Sequence, residues 1–283
     1  MSFAYYDPAE LQDALNLLKD EGSMPYAGGT DILVNLKKGK LKVRALVDLK
    51  NIKELREVYI DDQENLVIGS MVTMNEIYGN DYVNTNLPAL SQATKIMGCQ
   101  EIQNRATIGG NLANSSPSAE TAMPLLVYEA DIEIVNQTGR SRIPLHRFFL
   151  GPGNNILPKG EIITKVIIKK ENIEGSSSRY LRKGRVEGMD LATIGLAIWY
   201  HPKRDIKFRV AGGAVLPVPS RLYEVENYLN SITTLNNEEI SKVQEVYSMC
   251  IKPRASSLRG SPSFKKLMGG HMLAQALLEV VKN

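Results

Sequence analysis

Only two cysteines, Cys99 and Cys250, occur in 283 residues, far apart and outside any CxxC pair. The chain therefore cannot by itself hold an iron–sulfur cluster or a cysteine-built zinc site. Histidine is nearly as scarce. His146, His201 and His271 stand singly, without metal-ligand spacing, and are expected to be structural or exposed. No apolar run is long enough to span a membrane, and acidic residues interrupt the first twenty positions, so no secretory leader is expected. Few thiols and no leader point to the cytoplasm. Excess charge is also missing: 34 basic against 31 acidic residues give a net charge of +3. The cations are scattered rather than striped, which argues against a nucleic-acid partner. The run Lys37-Lys38-Gly39-Lys40-Leu41-Lys42 reads as a helix end with its favoured cations. No acid–base dyad for catalysis is evident.

Hydrophobic residues at 43 % and charged residues at 23 % are ordinary for a globular protein, and the length allows two or three subdomains. Two diglycine turns carry most information: Ala27-Gly28-Gly29-Thr30-Asp31-Ile32 and Thr107-Ile108-Gly109-Gly110-Asn111-Leu112. Each follows strand-like sequence and precedes a short polar side chain and helix-spaced apolar residues. Glycine lets a backbone N–H approach a ligand closely, and a helix opening there offers unpaired N–H groups to a phosphate. Two such turns can grip a diphosphate from both sides. Gly212-Gly213 and Gly269-Gly270 are taken as structural.

Along the chain, Asp7-Pro8 is expected to open a first helix as N-cap and first-turn proline, with Leu11, Leu15 and Leu18 buried. Residues 24–27 read as a strand, 32–38 as a short helix stopped by Gly39, and 44–49 as a returning strand. Residues 87–97 look helical, and 99–105 read as a strand or loop leading into the second diglycine. Ser115-Ser116-Pro117-Ser118 forms a turn before a helix near Glu120. Residues 131–135 and 141–144 flank a glycine turn as a hairpin, and 161–168 form a strand. Gly175-Ser176-Ser177-Ser178 is the candidate flexible joint. Beyond it come strands at 193–200 and 206–212 and helices at 223–228, 238–247 and 264–281. The order is mixed α+β.

A nicotinamide-binding Rossmann unit is the first alternative, with Asp48 as its ribose acid. The G-x-G-x-x-G spacing is absent, and the 32–38 helix is short for a crossover. A different resemblance covers nearly the whole chain. It is carried by Tyr26-Ala27-Gly28-Gly29-Thr30-Asp31-Ile32-Leu33, Ile68-Gly69-Ser70 with Thr73, and Ile102-Gln103-Asn104-Arg105-Ala106-Thr107-Ile108-Gly109-Gly110-Asn111. Ser116-Pro117-Ser118-Ala119-Glu120, Phe148-Phe149-Leu150-Gly151-Pro152-Gly153, Gly160-Glu161-Ile162-Ile163 and Met189-Asp190-Leu191-Ala192 extend it. In order and spacing these motifs resemble the FAD-binding medium subunit of molybdenum hydroxylases, the group of bacterial xanthine dehydrogenases and aerobic carbon monoxide dehydrogenases.

The resemblance implies a vanillyl-alcohol-oxidase-type (PCMH-type) fold: an α/β lobe (1–58), a larger antiparallel lobe (59–174) with FAD between them, and a C-terminal α/β domain (175–283). By position, Tyr26, Ala27, Gly28, Gly29, Thr30, Asp31 and Ile32 with Thr107, Gly110 and Asn111 would hold the diphosphate, Tyr26 reading more as core than as contact. Asn114 and Glu120 would approach the adenosine or ribityl portion, Glu120 standing where the family commonly has Asp. Met97, Gly98, Ile162 and Ile163 would lie near the flavin ring, and Arg182 or Lys183 near its pyrimidine end. No cysteine-bearing loop of the benzoyl-CoA reductase kind is present. The implied enzyme is a FAD-dependent oxidoreductase subunit, relaying electrons to NAD+ or another acceptor. Its implied partners are a molybdenum-cofactor-binding large subunit and a two-iron two-sulfur small subunit, in a dimer of heterotrimers. Residues 102–105 and parts of the C-terminal region are then expected to expose apolar surface to partners. A stand-alone reductase of the enolpyruvyl-glucosamine reductase type and a flavin-free assembly module are the other readings.

Overall fold

The computed structural model describes residues 3–186 and 188–282. β1 (Ala4–Tyr6), α1 (Leu11–Leu17), β2 (Ser23–Tyr26), α2 (Ile32–Lys37) and β3 (Ala45–Asp48) alternate along the chain. Their strands form a parallel sheet in the order β1-β3-β2. Central β3 is buried throughout, as expected for a parallel strand covered on both faces. Leu11, Leu15 and Leu18 pack with Val47, Leu49 and Leu55. Asp7-Pro8 does not open the helix: α1 starts at Leu11, and Glu10 makes no side-chain cap bond. β1 is an edge strand with all three residues exposed, so it has no apolar alternation for sequence reasoning to detect.

The next region opens with β4 (Val58–Ile60) and β5 (Leu66–Gly69) and runs through α3 (Met74–Tyr78), α4 (Asp81–Asn86), α5 (Pro88–Ile96), α6 (Gln100–Gln103), α7 (Ile108–Ala113) and α8 (Ala122–Val127). It closes with β6 (Asp131–Asn136), β7 (Gly139–Pro144), β8 (Phe149–Gly151), β9 (Asn154–Asn155) and β10 (Ile162–Ile168). Five of these strands form an antiparallel sheet in the order β4-β5-β10-β6-β7, and β8 pairs with β9. β10 lies at the centre, buried except at Lys165. The β6–β7 hairpin is tied by Asn136 Oδ1, which accepts from the N–H groups of Thr138 (2.8 Å) and Gly139 (3.1 Å). Residues 99–105 depart from the expected strand or loop: α6 forms there, and half-buried Ile102 packs beneath Gly98.

The last region holds β11 (Ser177–Lys183), β12 (Ile194–Tyr200), β13 (Phe208–Gly213) and β14 (Ser220–Arg221), followed by α9 (Tyr223–Ser231), α10 (Asn237–Cys250) and α11 (Pro262–Lys282). The antiparallel sheet is covered on both faces. Ile194, Leu196, Ile198 and Val210 pack with the helices that follow. Tyr180, Ala197, Trp199 and Ala211 turn the other way, into the core shared with α5 and α8. This sharing overturns the flexible joint at 175–178. Ser178 is buried in β11, accepts the Ala89 N–H at 3.1 Å, and lies 2.6 Å from the Tyr128 hydroxyl. Gly213 lies against the Met123 side chain, and Gly269 against the Tyr247 ring. Exposed apolar side chains include Val186, Met189 and Leu191, close in sequence, and Met249, Leu258 and Leu267.

Candidate cofactor site

The chain leaves β2 at Tyr26 and bends at once. Gly29 has φ +80°, a conformation that L side chains rarely adopt. A Cβ on it would lie 2.8 Å from Tyr26 Cζ, so the Tyr26 ring is the floor of the bend. A Cβ on Gly28 would collide with the Arg105 carbonyl and come 3.0 Å from Ala106 Cα. The first bend is therefore packed onto the residues leading into the second. α2 begins where the Leu33 N–H donates to the Gly29 carbonyl at 3.2 Å. Asp31 holds the N-cap position without a side-chain cap bond and is exposed, whereas Thr30 is half-buried. Ile32 packs with Tyr26 and Leu36.

The second diglycine is not a turn before a helix; it lies inside α7. The cap precedes it: Thr107 Oγ1 accepts the Gly110 N–H at 3.1 Å. The Gly109 N–H donates to the Ser70 carbonyl at 2.9 Å, and the close approach leaves 2.8 Å between that carbonyl and a Cβ on Gly109. A Cβ on Gly110 would sit 2.9 Å from Thr107 Oγ1 and 3.6 Å from Ala27 Cβ. The two glycine bends thus abut at Ala27–Gly28 and Ala106–Gly110, and a side chain at Gly28 or Gly110 would fill the seam. Ser70 Oγ is buried beside it without a partner among the described residues. The N–H groups at the start of α7 are bonded within the protein, so the N–H groups of the first bend, glycine at the contact and the Ser70 hydroxyl are what fit a bound diphosphate.

Asn111 extends the seam. Its Oδ1 accepts from Thr121 Oγ1 at 2.6 Å, and its Nδ2 lies 3.7 Å from Met97 Sδ. Beside Thr121, Glu120 is buried, with Oε1 2.7 Å from Arg182 Nε. Its Oε2 has no partner among the described residues. Burial pushes its carboxyl from 4.5 up to about 7, against the opposing pull of the Arg182 charge. At neutral pH it can donate to or accept from a ligand hydroxyl. Alternation along β11 separates Arg182 from Lys183. Arg182 turns inward to Glu120 and donates to the Asp190 carbonyl, while Lys183 is exposed.

The remaining candidates spread outward. Asn114 is exposed at the end of α7. Ile162 and Ile163 point to opposite faces of β10: Ile162 packs with Leu15, Val135 and Ala27, and Ile163 joins the core beneath the helices. Sequence reasoning missed Thr121 and Tyr180. The Tyr180 hydroxyl is buried without a partner among the described residues, on the same face of β11 as Arg182; the alternation of Tyr180-Leu181-Arg182 was the available signal. Nearby, Arg185 holds the Asp190 carboxyl down at about 2. A cavity of about 970 Å³, lined by Gln63, Lys169, His201 and Arg204 among others, includes none of the candidate residues.

Residues 1–169 match the family described as FAD binding domain in molybdopterin dehydrogenase, and residues 179–280 match the CO dehydrogenase flavoprotein C-terminal domain. The chain belongs to the molybdopterin dehydrogenase FAD-binding family. It is 31 % identical to the xanthine dehydrogenase FAD-binding subunit of Escherichia coli O157:H7, over 98 % of this chain and 96 % of that one. Identity to the carbon monoxide dehydrogenase medium chain of Hydrogenophaga pseudoflava is 26 %, over 97 % and 96 %. The solved carbon monoxide dehydrogenase of the same organism, which lacks the Mo-pyranopterin moiety, superposes with a TM-score of 0.92, 26 % identity and coverage of 100 % and 98 %. The fold is thus the PCMH-type expected from the motifs. This molybdopterin dehydrogenase FAD subunit is an oxidoreductase component whose cofactor is FAD. Among the described residues no helix is long and apolar enough to cross a membrane.

Proposed function

We propose that the chain holds FAD across the abutting glycine bends and acts as the electron-relay subunit of a molybdenum hydroxylase. Backbone N–H groups of residues 29–32 bind the diphosphate, with Gly110 allowing its close approach and the Thr30, Thr107 and Asn111 side chains beside them. Glu120, through its free oxygen, and Asn114 receive the hydroxyls of the adenosine or ribityl portion. Met97 and Gly98 border the ring system, and of Ile162 and Ile163, on opposite faces of β10, only one side chain can join them. Arg182, and not Lys183, supplies the cation near the pyrimidine end, where positive charge favours the reduced cofactor. Bound FAD supplies the capacity to accept electrons singly and to pass them on in pairs.

In this reading electrons arrive from a two-iron two-sulfur small subunit, fed by a molybdenum-cofactor-binding large subunit, and leave to NAD+ or another acceptor. The proposed assembly is a cytoplasmic dimer of heterotrimers, and the proposed division of this chain is 1–58, 59–174 and 175–283. The apolar side chains at Val186, Met189 and Leu191 suit partner contact, because isolated surfaces of this kind favour association. The observation that carries the proposal is the seam itself, where Gly28 packs on the Arg105 carbonyl with room for no side chain and Gly110 faces Ala27. The test is flavin content of the purified full chain, produced with its neighbouring subunits. Wild type is expected to carry FAD, and Gly29→Val and Gly110→Val to lose it; a wild-type protein unable to bind FAD would overturn the reading.

A further inference from the structure

Lys265 occupies a position that two physical rules disfavour. It stands in the first turn of α11, where a cation opposes the helix dipole. It is also only 4 % exposed, so its ammonium has lost most of its water. Burial and the nearby Arg259 charge both pull its pKa down. Against these costs stands one hydrogen bond, from Nζ to the Ala214 carbonyl at 2.7 Å.

Ala214 is itself strained, with φ +60° on a residue that carries a Cβ. Its N–H donates to the Pro117 carbonyl at 2.6 Å. Both backbone polar groups of one strained residue therefore join α11 to the 115–118 turn. That turn leads directly to Glu120: the Ala119 N–H donates to the Ser116 carbonyl at 3.0 Å, and Glu120 then meets Arg182. Preceding Gly213 leaves no slack, because a Cβ there would lie 2.7 Å from Met123 Cε. The large side chains that α11 buries further along, Met272, Leu273, Leu277 and Val280, are apolar members of the core. A buried cation on this helix is explained by the carbonyl that it holds.

We propose that Lys265 is a positioning residue for the flavin site, fixing the Ala214 turn and through it the segment that carries Glu120. The C-terminal helix then sets the affinity for the flavin nucleotide without touching it. This rests on the reading that Glu120 lines the FAD site.

The test uses the full chain with Lys265→Met, which fills the space without a donor, and Lys265→Arg, which keeps one. FAD affinity is read from flavin fluorescence, and hydrogen exchange across residues 116–121 is read without flavin. Lys265→Met is expected to weaken FAD binding on the order of tenfold, the worth of one charged hydrogen bond, and to speed exchange across 116–121. Lys265→Arg should restore both. In a Glu120→Gln background Lys265→Met should cost little more, because its effect passes through Glu120. Wild-type affinity in Lys265→Met, or an equal loss in both backgrounds, would overturn the proposal. Should the wild type bind no FAD, the functional reading falls, while unchanged exchange across 116–121 separately overturns the positioning role. Lys265→Gln, whose amide stops one bond short of the carbonyl, carries the same expectation if the methionine variant does not fold.

Discussion

Glu120→Gln should alter how the stability of the apoprotein depends on pH. Burial lifts the native carboxyl from 4.5 to about 7. Between those values the folded protein holds a proton that the unfolded chain has already released, so stability falls as pH rises through the window. Below 4.5 both states are protonated, and above 7 both have lost the proton; the contribution is flat on either side. The full displacement is worth about 3 kcal/mol, most of which falls between pH 5 and pH 8. Glu76 and Glu133, held below their usual range by their hydrogen bonds and nearby arginines, titrate beneath that window and with the opposite sign. Glutamine has no proton to lose. Urea unfolding at pH 5, 6, 7 and 8 should therefore show the wild type losing about 2–3 kcal/mol relative to the variant on going from pH 5 to pH 8. Parallel profiles would refute the buried, proton-binding carboxylate.

Gly29→Val and Gly110→Val should each abolish flavin retention while leaving far-ultraviolet circular dichroism close to wild type, as read by absorbance of the purified protein. Ser178→Ala removes the partner of both the Ala89 N–H and the Tyr128 hydroxyl in a buried site, so denaturant unfolding should show a loss of about 1–3 kcal/mol. Ile68→Ala opens a cavity at a fully buried position on β5 and should cost about 2–5 kcal/mol in the same assay.

Much of this fold is legible where local signals agree with burial. The apolar run at 194–199, the hairpin around Gln137-Thr138-Gly139 and the leucine stripe of α1 all declare themselves, because each element buries the residues that its period predicts. The misses have physical causes. β1 escaped because an exposed edge strand needs no apolar alternation. The Gly175–Ser178 stretch has the composition of a linker, yet Ser177 and Ser178 begin β11 by pairing with Tyr200 and Trp199, and tertiary pairing is invisible locally. At the site, both glycine motifs were legible, but their contact was not. Neither was the inward turn of Arg182 towards Glu120, which depends on the register of β11 against β12. The capping logic was reversed at the second motif, since Thr107 caps from in front and leaves Gly109 and Gly110 inside the helix.

The affinities of the full chain for FAD, FMN and riboflavin, read by quenching of flavin fluorescence, test the diphosphate seam most directly. FAD should bind on the order of hundredfold tighter than FMN or riboflavin, the worth of two charge-assisted hydrogen bonds at about 1.5 kcal/mol each. Gly110→Val should erase that preference. Equal affinity for FAD and FMN, or a preference that survives Gly110→Val, would contradict the placement of the diphosphate between the two bends.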